Sequence, residues 1–321
     1  METEIKMKSE KSDILEIIQK FLENPPTVIW GSGATIPYGM PSMSALNTEI
    51  CNKIKSFDGT KNNLEEELGK EKYKKDLPEI RKIIWNKIND ADKNIIPDLL
   101  HDRSKYTGIL NMVNKCIEAH PKVMNIITTN YDRIIENILS YHKISFTDGF
   151  VGRNLSVFNE NLFSEKNIVN VIKVHGSLNW GKYNDEIRYI DCNSEIEPLI
   201  IPPGKNKYQE TYHTPYRELI QYSDKIIKSA DSFFVIGFGF NDEHITPEIK
   251  NKINKGTPLV LITKKVTKTT KAELSKAQKY VLLEECETGK TSITIKKDKQ
   301  ATTTILEGQY WQLNKFMEEI W

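Results

Sequence analysis

The chain has 321 residues, 38% of them hydrophobic, which is enough for one large α/β domain or for a core domain with a smaller insertion. Its 45 Lys and Arg residues nearly cancel its 44 Asp and Glu residues, so the net charge gives no reason to expect nucleic acid or an anionic membrane as a partner. The four cysteines include no CxxC pair, which argues against a zinc ribbon and favours a reducing compartment. The N-terminus is charged and no apolar run reaches the roughly 20 residues of a membrane helix, so we expect a cytoplasmic protein.

Strands alternate with helices along the chain. Apolar spacing predicts helices at residues 13–22, in the stretch after Tyr131 that ends near Tyr141, at 216–230 and at 309–321. Short apolar runs predict strands at 27–30, 123–129, 167–175, 198–202, 232–237 and 257–263. This alternation predicts an α/β fold with a Rossmann-like, doubly wound parallel sheet.

Residues 52–105 differ from the rest in composition, since they are rich in Lys, Glu, Asp and Asn. Isoleucines at positions 80, 83, 84 and 88 repeat at helical spacing. We interpret this stretch as a helical insertion or lid within one domain that spans residues 1–321. Its charge runs are typical of a solvated helix face. The segment could serve as a gate that controls access to a site or as a surface for assembly, and the sequence does not decide between these roles.

Segments with glycines or polar side chains follow four of the predicted strands. They are Gly31-Ser32-Gly33-Ala34, Thr129-Asn130-Tyr131-Asp132, His175-Gly176-Ser177 and Gly237-Phe238-Gly239-Phe240-Asn241-Asp242. In an open parallel sheet, ligands bind at the carboxyl ends of the strands. If the strands are neighbours, the four segments converge on one crevice.

The glycine segments suit a nucleotide. Glycines at 31 and 33 permit a tight turn and a close backbone approach, and a following helix N-terminus would favour a phosphate. Gly237 and Gly239 would let the backbone approach a ribose or an adenine in the same way. The alternative for both segments is a turn with no ligand.

The polar segments suit the chemistry of a ribose. The amide of Asn130 can hold a ribose hydroxyl or a water, and the imidazole of His175 can accept a proton from either, because imidazoles titrate near neutral pH. The alternative for Asn130 and Asp132 is that one of them, Asp132 more than Asn130, is the N-cap of the following helix, which does not exclude a contact with a ligand. A lone histidine is more often a hydrogen-bonded core residue, but its predicted position at the sheet edge favours a role in the site.

The order of these motifs resembles the sirtuin (Sir2) superfamily over nearly the whole chain. The sirtuin opening GAGxSxxxGIPDFR is similar to residues 31–44 (GSGATIPYGMPSMS), TQNID to residues 128–132 (TTNYD), and the catalytic HG to His175 and Gly176. The later sirtuin segments RPxVVxFGE and ADLLLVIGTSL are similar to residues 197–204 (EPLIIPPG) and 230–240 (ADSFFVIGFGF).

The departures from the sirtuin pattern narrow the resemblance. Ser42, Met43 and Ser44 replace the Asp-Phe-Arg of the protein deacetylases, and only Cys192 lies where the zinc-binding cysteines would be, so we expect no zinc or other metal. Residues 237–239 (GFG) replace the final GTS. In these respects the chain resembles the Sir2-like effector domains of bacterial anti-phage systems, which hydrolyse NAD+.

The resemblance implies an NAD+ hydrolase that cleaves the nicotinamide–ribose bond to give nicotinamide and ADP-ribose. The implied catalytic residues are His175, Asn130 and Asp132. The implied NAD+-binding residues are Gly31, Ser32, Gly33, Ala34, Thr129, Gly237, Phe238 and Gly239.

Two alternatives to NAD+ hydrolysis stay open. One is NAD-dependent protein deacylation, and the other is a non-catalytic module that senses NAD+ or a cyclic nucleotide. A defence enzyme that depletes NAD+ needs a gate, so the resemblance also implies a homo-oligomer or a separately encoded activator, such as an ATPase, as partner.

Overall fold

The computed structural model describes residues 2–59, 64–152, 155–164, 169–183, 186–190, 199–204, 210–297 and 300–321. The chain divides into two compact units. The first unit comprises Met1–Ala34, Ser104–Ile126 and Asp224–Trp321, and the second comprises Thr35–Arg103 and Ile127–Ser223.

Helices and strands alternate through much of the chain, as predicted. The helices are α1 (Glu2–Phe21), α2 (Met43–Lys53), α3 (Leu64–Leu68), α4 (Leu77–Asp92), α5 (Ile95–His101), α6 (Thr107–Glu118), α7 (Ile134–Tyr141), α8 (Tyr216–Ser229), α9 (Thr246–Asn254), α10 (Lys268–Lys276) and α11 (Leu313–Glu319). The strands are β1 (Thr27–Trp30), β2 (Met124–Thr128), β3 (Phe146–Thr147), β4 (Phe150–Val151), β5 (Leu155–Phe158), β6 (Val169–Lys173), β7 (Trp180–Tyr183), β8 (Glu186–Ile190), β9 (Phe233–Ile236), β10 (Leu259–Thr263), β11 (Tyr280–Glu287), β12 (Lys290–Lys297) and β13 (Gln300–Glu307). Among the described helices, none has the length and apolar character that a bilayer crossing requires.

The first unit contains a sheet whose strands run in the order β13-β12-β11-β10-β9-β1, followed by β2. Strands β1, β9, β10 and β11 pair in parallel, and β1 and β9 are buried along their whole length, as expected of strands covered on both faces. Strands β11, β12 and β13 pair antiparallel. The sequence predicts the parallel part correctly and misses this antiparallel edge.

The register of β1 and β9 places two glycine segments side by side. Trp30 pairs with Ile236 at the end of the two parallel strands. The next residues are Gly31 and Gly237, so both turns leave the sheet at the same level. The predicted convergence of these two segments is therefore confirmed within the first unit.

The second unit contains the end of β2, followed in order by β6 and β3, and a separate antiparallel sheet of order β4-β5-β8-β7. The strand predicted at 167–175 is β6, which ends at Lys173, two residues before His175. Residues 167 and 168 of that prediction lie outside the described residues, as does residue 198 of the strand predicted at 198–202. In that second segment the described structure is a single bridge between Ile200 and Gly176.

Within the segment predicted as a helical insertion, the described residues include the end of α2, the helices α3, α4 and α5, and two 3-10 turns. The isoleucines of α4 are buried, with Ile80 and Ile84 fully inaccessible to solvent. They give this helix an apolar face, and α4 packs on α2. Leu100 of α5 is 68% exposed. Residues 60–63 of the predicted insertion lie outside the described residues.

Candidate functional site

The glycine turn after β1 is closed by hydrogen bonds to the glycine turn after β9. The Gly31 N–H donates to the Ile236 carbonyl at 2.9 Å, and the Gly33 N–H donates to the Gly237 carbonyl at 3.0 Å. The Ala34 N–H donates back to the Gly31 carbonyl at 3.0 Å. The amides of Gly33 and Ala34 thus have partners within the chain. The bonds from Gly31 and Gly33 join the turn after β1 to the end of β9 and the turn that follows it.

Close packing requires glycine at two of these positions. A Cβ on Gly31 would lie 2.4 Å from the Gly237 carbonyl oxygen. Gly237 has φ +58°, and a Cβ there would lie 2.2 Å from the Ala34 nitrogen. At Gly239 the nearest atom to an added Cβ is 3.4 Å away, so that position has room for a side chain. The turn interpretation of Gly31 and Gly237 therefore has a physical basis whether or not they also bind a ligand.

The α-helix expected directly after the first glycine turn begins later. Short 3-10 turns occupy Ser32–Ala34 and Ile36–Tyr38, and α2 starts only at Met43. The Ser42 hydroxyl caps that helix by accepting from the Ala45 N–H at 3.2 Å. One of the residues that replaces the sirtuin Asp-Phe-Arg is thus a helix cap.

The segment after Gly237 is buried and strained. Phe238 and Phe240 are both buried, with ring centroids 5.4 Å apart. Phe240 has φ 59°, a conformation that bulky side chains rarely adopt. The Gly239 carbonyl accepts from the Thr270 hydroxyl at 3.0 Å, and the Asp242 carboxylate accepts from the Ile245 N–H at 3.2 Å. Residues around the turn thus hold it in place.

Asn130 and Asp132 lie in a buried loop between β2 and α7 in the second unit. Each side chain is 7% exposed, whereas Thr129 beside them is half-buried. The Asn130 N–H donates to the Thr128 hydroxyl at 3.0 Å. The Asp132 carboxylate accepts from the Ile134 N–H at 3.4 Å, which is long for a hydrogen bond, and the N-cap of α7 is Arg133. The prediction that Asp132 is the N-cap of this helix is therefore wrong, because the helix begins one residue later than that prediction requires.

Burial changes the acidity of Asp132. Removing its carboxylate from water raises the pKa of Asp132 to about 7. The positive charge of Lys173 acts in the opposite direction, and the charges of Asp92 and Glu136 add to the rise. The side chain is thus poised to change charge near neutral pH.

Lys173 is the residue of this site that sequence reasoning missed. Its side chain is almost wholly buried, yet its ammonium group donates to the Tyr131 and Asp132 carbonyls and forms an ion pair of 2.7 Å with Glu136. A buried ammonium needs such partners, because desolvation is costly for an unpaired charge. The sequence signal that could have identified it is a lysine inside a strand predicted to be buried.

His175 lies in a second buried loop, which contacts the first through Tyr131. The Tyr131 carbonyl accepts from the Leu178 N–H at 3.0 Å, and the Ser177 hydroxyl lies 3.4 Å from it. His175 is 3% exposed, and its carbonyl accepts from the Ile201 N–H at 2.9 Å. The segments that carry Asn130, Asp132 and His175 are therefore joined within one unit.

The segments singled out in the sequence thus meet in two pairs. The turns at 31–34 and 237–239 meet in the first unit, and the loops at 129–132 and 175–178 meet in the second. Each pair offers a different chemistry. The first is backbone held by close packing, and the second is a set of buried polar and charged side chains.

Comparison with protein-family models places this arrangement in a known family. A model described as "SIR2-like domain" matches residues 124–285, which is just over half of the chain. The chain belongs to this SIR2-like family. The matched span includes the loops of Asn130 and His175 and the turn at Gly237, and the turn at Gly31 lies outside it.

A solved structure of a Sir2 protein shares the fold. A crystal structure of a Sir2 homologue in complex with NAD aligns with a TM-score of 0.50 and 13% identity, covering 95% of this chain and 91% of that chain. A structure of Sir2 bound to acetylated peptide aligns with a TM-score of 0.47 and 14% identity over 96% of each chain. No curated protein sequence matches the chain. The predicted Rossmann-like α/β fold is thereby confirmed as sirtuin-like.

Proposed function

We propose that this SIR2-like chain cleaves the nicotinamide–ribose bond of NAD+ by hydrolysis, releasing nicotinamide and ADP-ribose. The observation that carries the proposal is the pair of buried loops joined at the Tyr131 carbonyl, one with Asn130 and Asp132 and the other with His175. A SIR2-like chain with an amide, a carboxyl and an imidazole buried in adjoining loops has the groups that this reaction needs.

The polar loops would carry the chemistry. Asn130 would orient the nicotinamide ribose and the attacking water, and His175 would accept a proton from that ribose or that water. The carboxylate of Asp132 would stabilise the positive charge that develops on the ribose as the bond to nicotinamide breaks. Because burial raises the pKa of Asp132 to about 7, its charged form becomes dominant only above neutral pH.

The glycine turns and the residue beside Asn130 would hold the rest of the dinucleotide. We assign the pyrophosphate to Gly31, Ser32, Gly33 and Ala34, the adenosine end to Gly237, Phe238 and Gly239, and an NAD+ contact to Thr129. Since the Gly33 and Ala34 amides already donate within the chain, their part in this assignment is close approach of the backbone to the ligand.

Protein deacylation is the second candidate, since solved structures with this fold include Sir2 bound to acetylated peptide. Both candidates begin with the same bond cleavage and differ in the acceptor. The absence of sirtuin-like zinc cysteines between His175 and Pro198 in the sequence favours water as the acceptor.

The test is product analysis after incubation with NAD+, with and without an acetyl-lysine peptide. We expect nicotinamide and ADP-ribose in equal amounts without the peptide, and a loss of about 10²-fold or more in His175→Ala and Asn130→Ala. His101→Ala is the matched control, because His101 is an exposed histidine at the end of α5. Nicotinamide release that requires the peptide would favour deacylation, and binding of NAD+ without turnover would favour a sensor.

We also propose that NAD+ depletion serves defence against phage and that assembly switches it on, through a homo-oligomer or a separately encoded activator such as an ATPase. The resemblance to anti-phage effector domains supports this proposal. Nicotinamide release should then depend on protein concentration or on the added partner. A specific activity that is constant across a wide range of protein concentration and unaffected by any co-encoded protein would argue against it.

A further inference from the structure

Helix α4, in the segment predicted to be an insertion or lid, contacts the loop of Asp132. Asp92, its last residue, has a fully buried side chain. One carboxylate oxygen accepts from the Arg133 N–H at 2.7 Å, and the other accepts from the Arg133 guanidinium at 2.7 and 2.8 Å. Hydrogen bonds to an ionised group such as these are roughly twice as strong as bonds between neutral groups.

These bonds act on the peptide group that follows Asp132. Its N–H belongs to Arg133 and is held by Asp92, and its carbonyl belongs to Asp132 and is held by Lys173. Two buried charged side chains therefore fix this peptide from both ends. The orientation of this peptide fixes the ψ dihedral of Asp132, which restricts the rotamers open to the Asp132 side chain.

The same helix contacts the loop that carries His175. The indole N–H of Trp85 donates to the Leu178 carbonyl at 3.0 Å, and the Leu178 N–H donates to the Tyr131 carbonyl at 3.0 Å. Trp85 and Asp92 are about two helical turns apart, so they lie on one face of α4. One helix face thus contacts both candidate catalytic loops.

We propose that α4 is a positioning element of the reaction, in which Asp92 orients Asp132 through Arg133 and Trp85 holds the loop of His175. The proposal rests on the proposed function for its effect on catalysis. On this account the helix is part of the framework of the site and not a lid over it. A substitution that displaces α4 should therefore lower turnover even though α4 itself makes no contact with NAD+.

The primary variant is Asp92→Asn, which keeps the size and an acceptor oxygen but loses the charge. Its matched control is Asp90→Asn on the same helix, because the Asp90 side chain is 72% exposed and its carboxylate pairs with Lys93 at the surface. We expect Asp92→Asn to lower kcat for nicotinamide release by ten-fold to about 10²-fold, with KM for NAD+ within a few-fold. Asp90→Asn should match the unaltered protein.

Two further readouts separate positioning from a general loss of structure. Amide hydrogen exchange across residues 130–138 should be faster in Asp92→Asn and unchanged in Asp90→Asn. The negative charge of Asp92 also contributes to the raised pKa of Asp132, so the ionisation in the pH profile of kcat should move to lower pH in Asp92→Asn. This shift reports the loss of the Asp92 charge beside Asp132, whereas the split between kcat and KM and the local exchange report positioning.

Trp85→Phe and Arg133→Lys extend the test to variants that keep the apolar ring or the charge. Arg133→Lys keeps the positive charge but loses the paired guanidinium contacts with Asp92, and we expect it to lower kcat. It takes the place of Asp92→Asn as the test if that variant does not fold. Equal kcat and equal exchange in Asp92→Asn and Asp90→Asn would overturn the proposal. If the unaltered protein releases no nicotinamide, the proposed function fails, and the exchange experiment still decides whether α4 holds the loop.

Discussion

The glycine turns of the first unit and the polar loops of the second are held together by different forces. At Gly31 and Gly237 the backbones approach so closely that neither position has room for a Cβ. At Asp132 the loop is held by buried charges on Lys173 and, through Arg133, on Asp92. An added atom would clash at the glycine turns, whereas the loss of one partner would leave a buried charge unpaired at the polar loops. The two regions should therefore fail under opposite kinds of substitution.

The largest expected effect is the loss of a buried charge from the polar loops. Lys173→Met removes the donor to two carbonyls and leaves Glu136 without its ion-pair partner. We expect the free energy of unfolding to fall by about 3–5 kcal/mol. Urea unfolding measures the change, with Lys82→Met on the exposed face of α4 as control. A loss equal to that of the control would mean that the charge network does not hold the loop.

The glycine turns should respond to an added methyl group. Gly237→Ala places a Cβ 2.2 Å from the Ala34 nitrogen at a positive φ, so we expect a loss of about 3 kcal/mol in the free energy of unfolding. Gly239→Ala is the matched control, because that position has room and no positive φ. It should change the free energy of unfolding by less than about 1 kcal/mol. Equal losses in the two variants would contradict the packing argument.

A smaller effect, dependent on pH, should appear at Asp132. Its pKa is about 7 in the folded protein against 3.8 when unperturbed, so the folded state holds the proton more tightly than the unfolded state. Stability from this group is therefore full below about pH 4 and is lost as the pH rises through 7. Asp132→Asn has no such proton, so its stability relative to the unaltered protein should rise between pH 4 and pH 8.

Unfolding experiments at pH 5 and pH 8 measure this difference for Asp132→Asn. Asp98→Asn is a suitable comparison, since Asp98 lies on α5 away from the candidate loops in sequence. A stability difference that does not change with pH would show that Asp132 ionises in the folded protein as it does in the unfolded chain.

The parts of the fold that sequence predicted well are the buried ones. The runs at 27–30, 232–237 and 216–230 match β1, β9 and α8 within a residue or so at each end, because full burial leaves a continuous apolar run or a clear helical stripe. Strands β11 to β13 were missed, since only the first half of β11 is continuously buried, β13 is mostly exposed, and charged or threonine side chains dilute the apolar pattern. The Thr288-Gly289 turn between β11 and β12, with Gly289 at φ +82°, was the usable hairpin signal.

The candidate site divides in the same way. Residues that follow strands, such as Asn130 and His175, could be selected from the sequence because strand ends are where ligands bind. The groups that orient them could not. Lys173 and Asp92 are each about 40 positions from the loop residues that they hold, and nothing local in one sequence specifies those pairings.

Nicotinamide release from NAD+ tests the central claim most directly. The initial rate should be measured without any acylated peptide for the unaltered protein, His175→Ala and the His101→Ala control, with folding of each confirmed by circular dichroism. The account predicts equimolar nicotinamide and ADP-ribose from the unaltered protein and from His101→Ala, and a rate lower by about 10²-fold or more in His175→Ala. A folded His175→Ala protein that releases nicotinamide within a few-fold of the unaltered rate would contradict it.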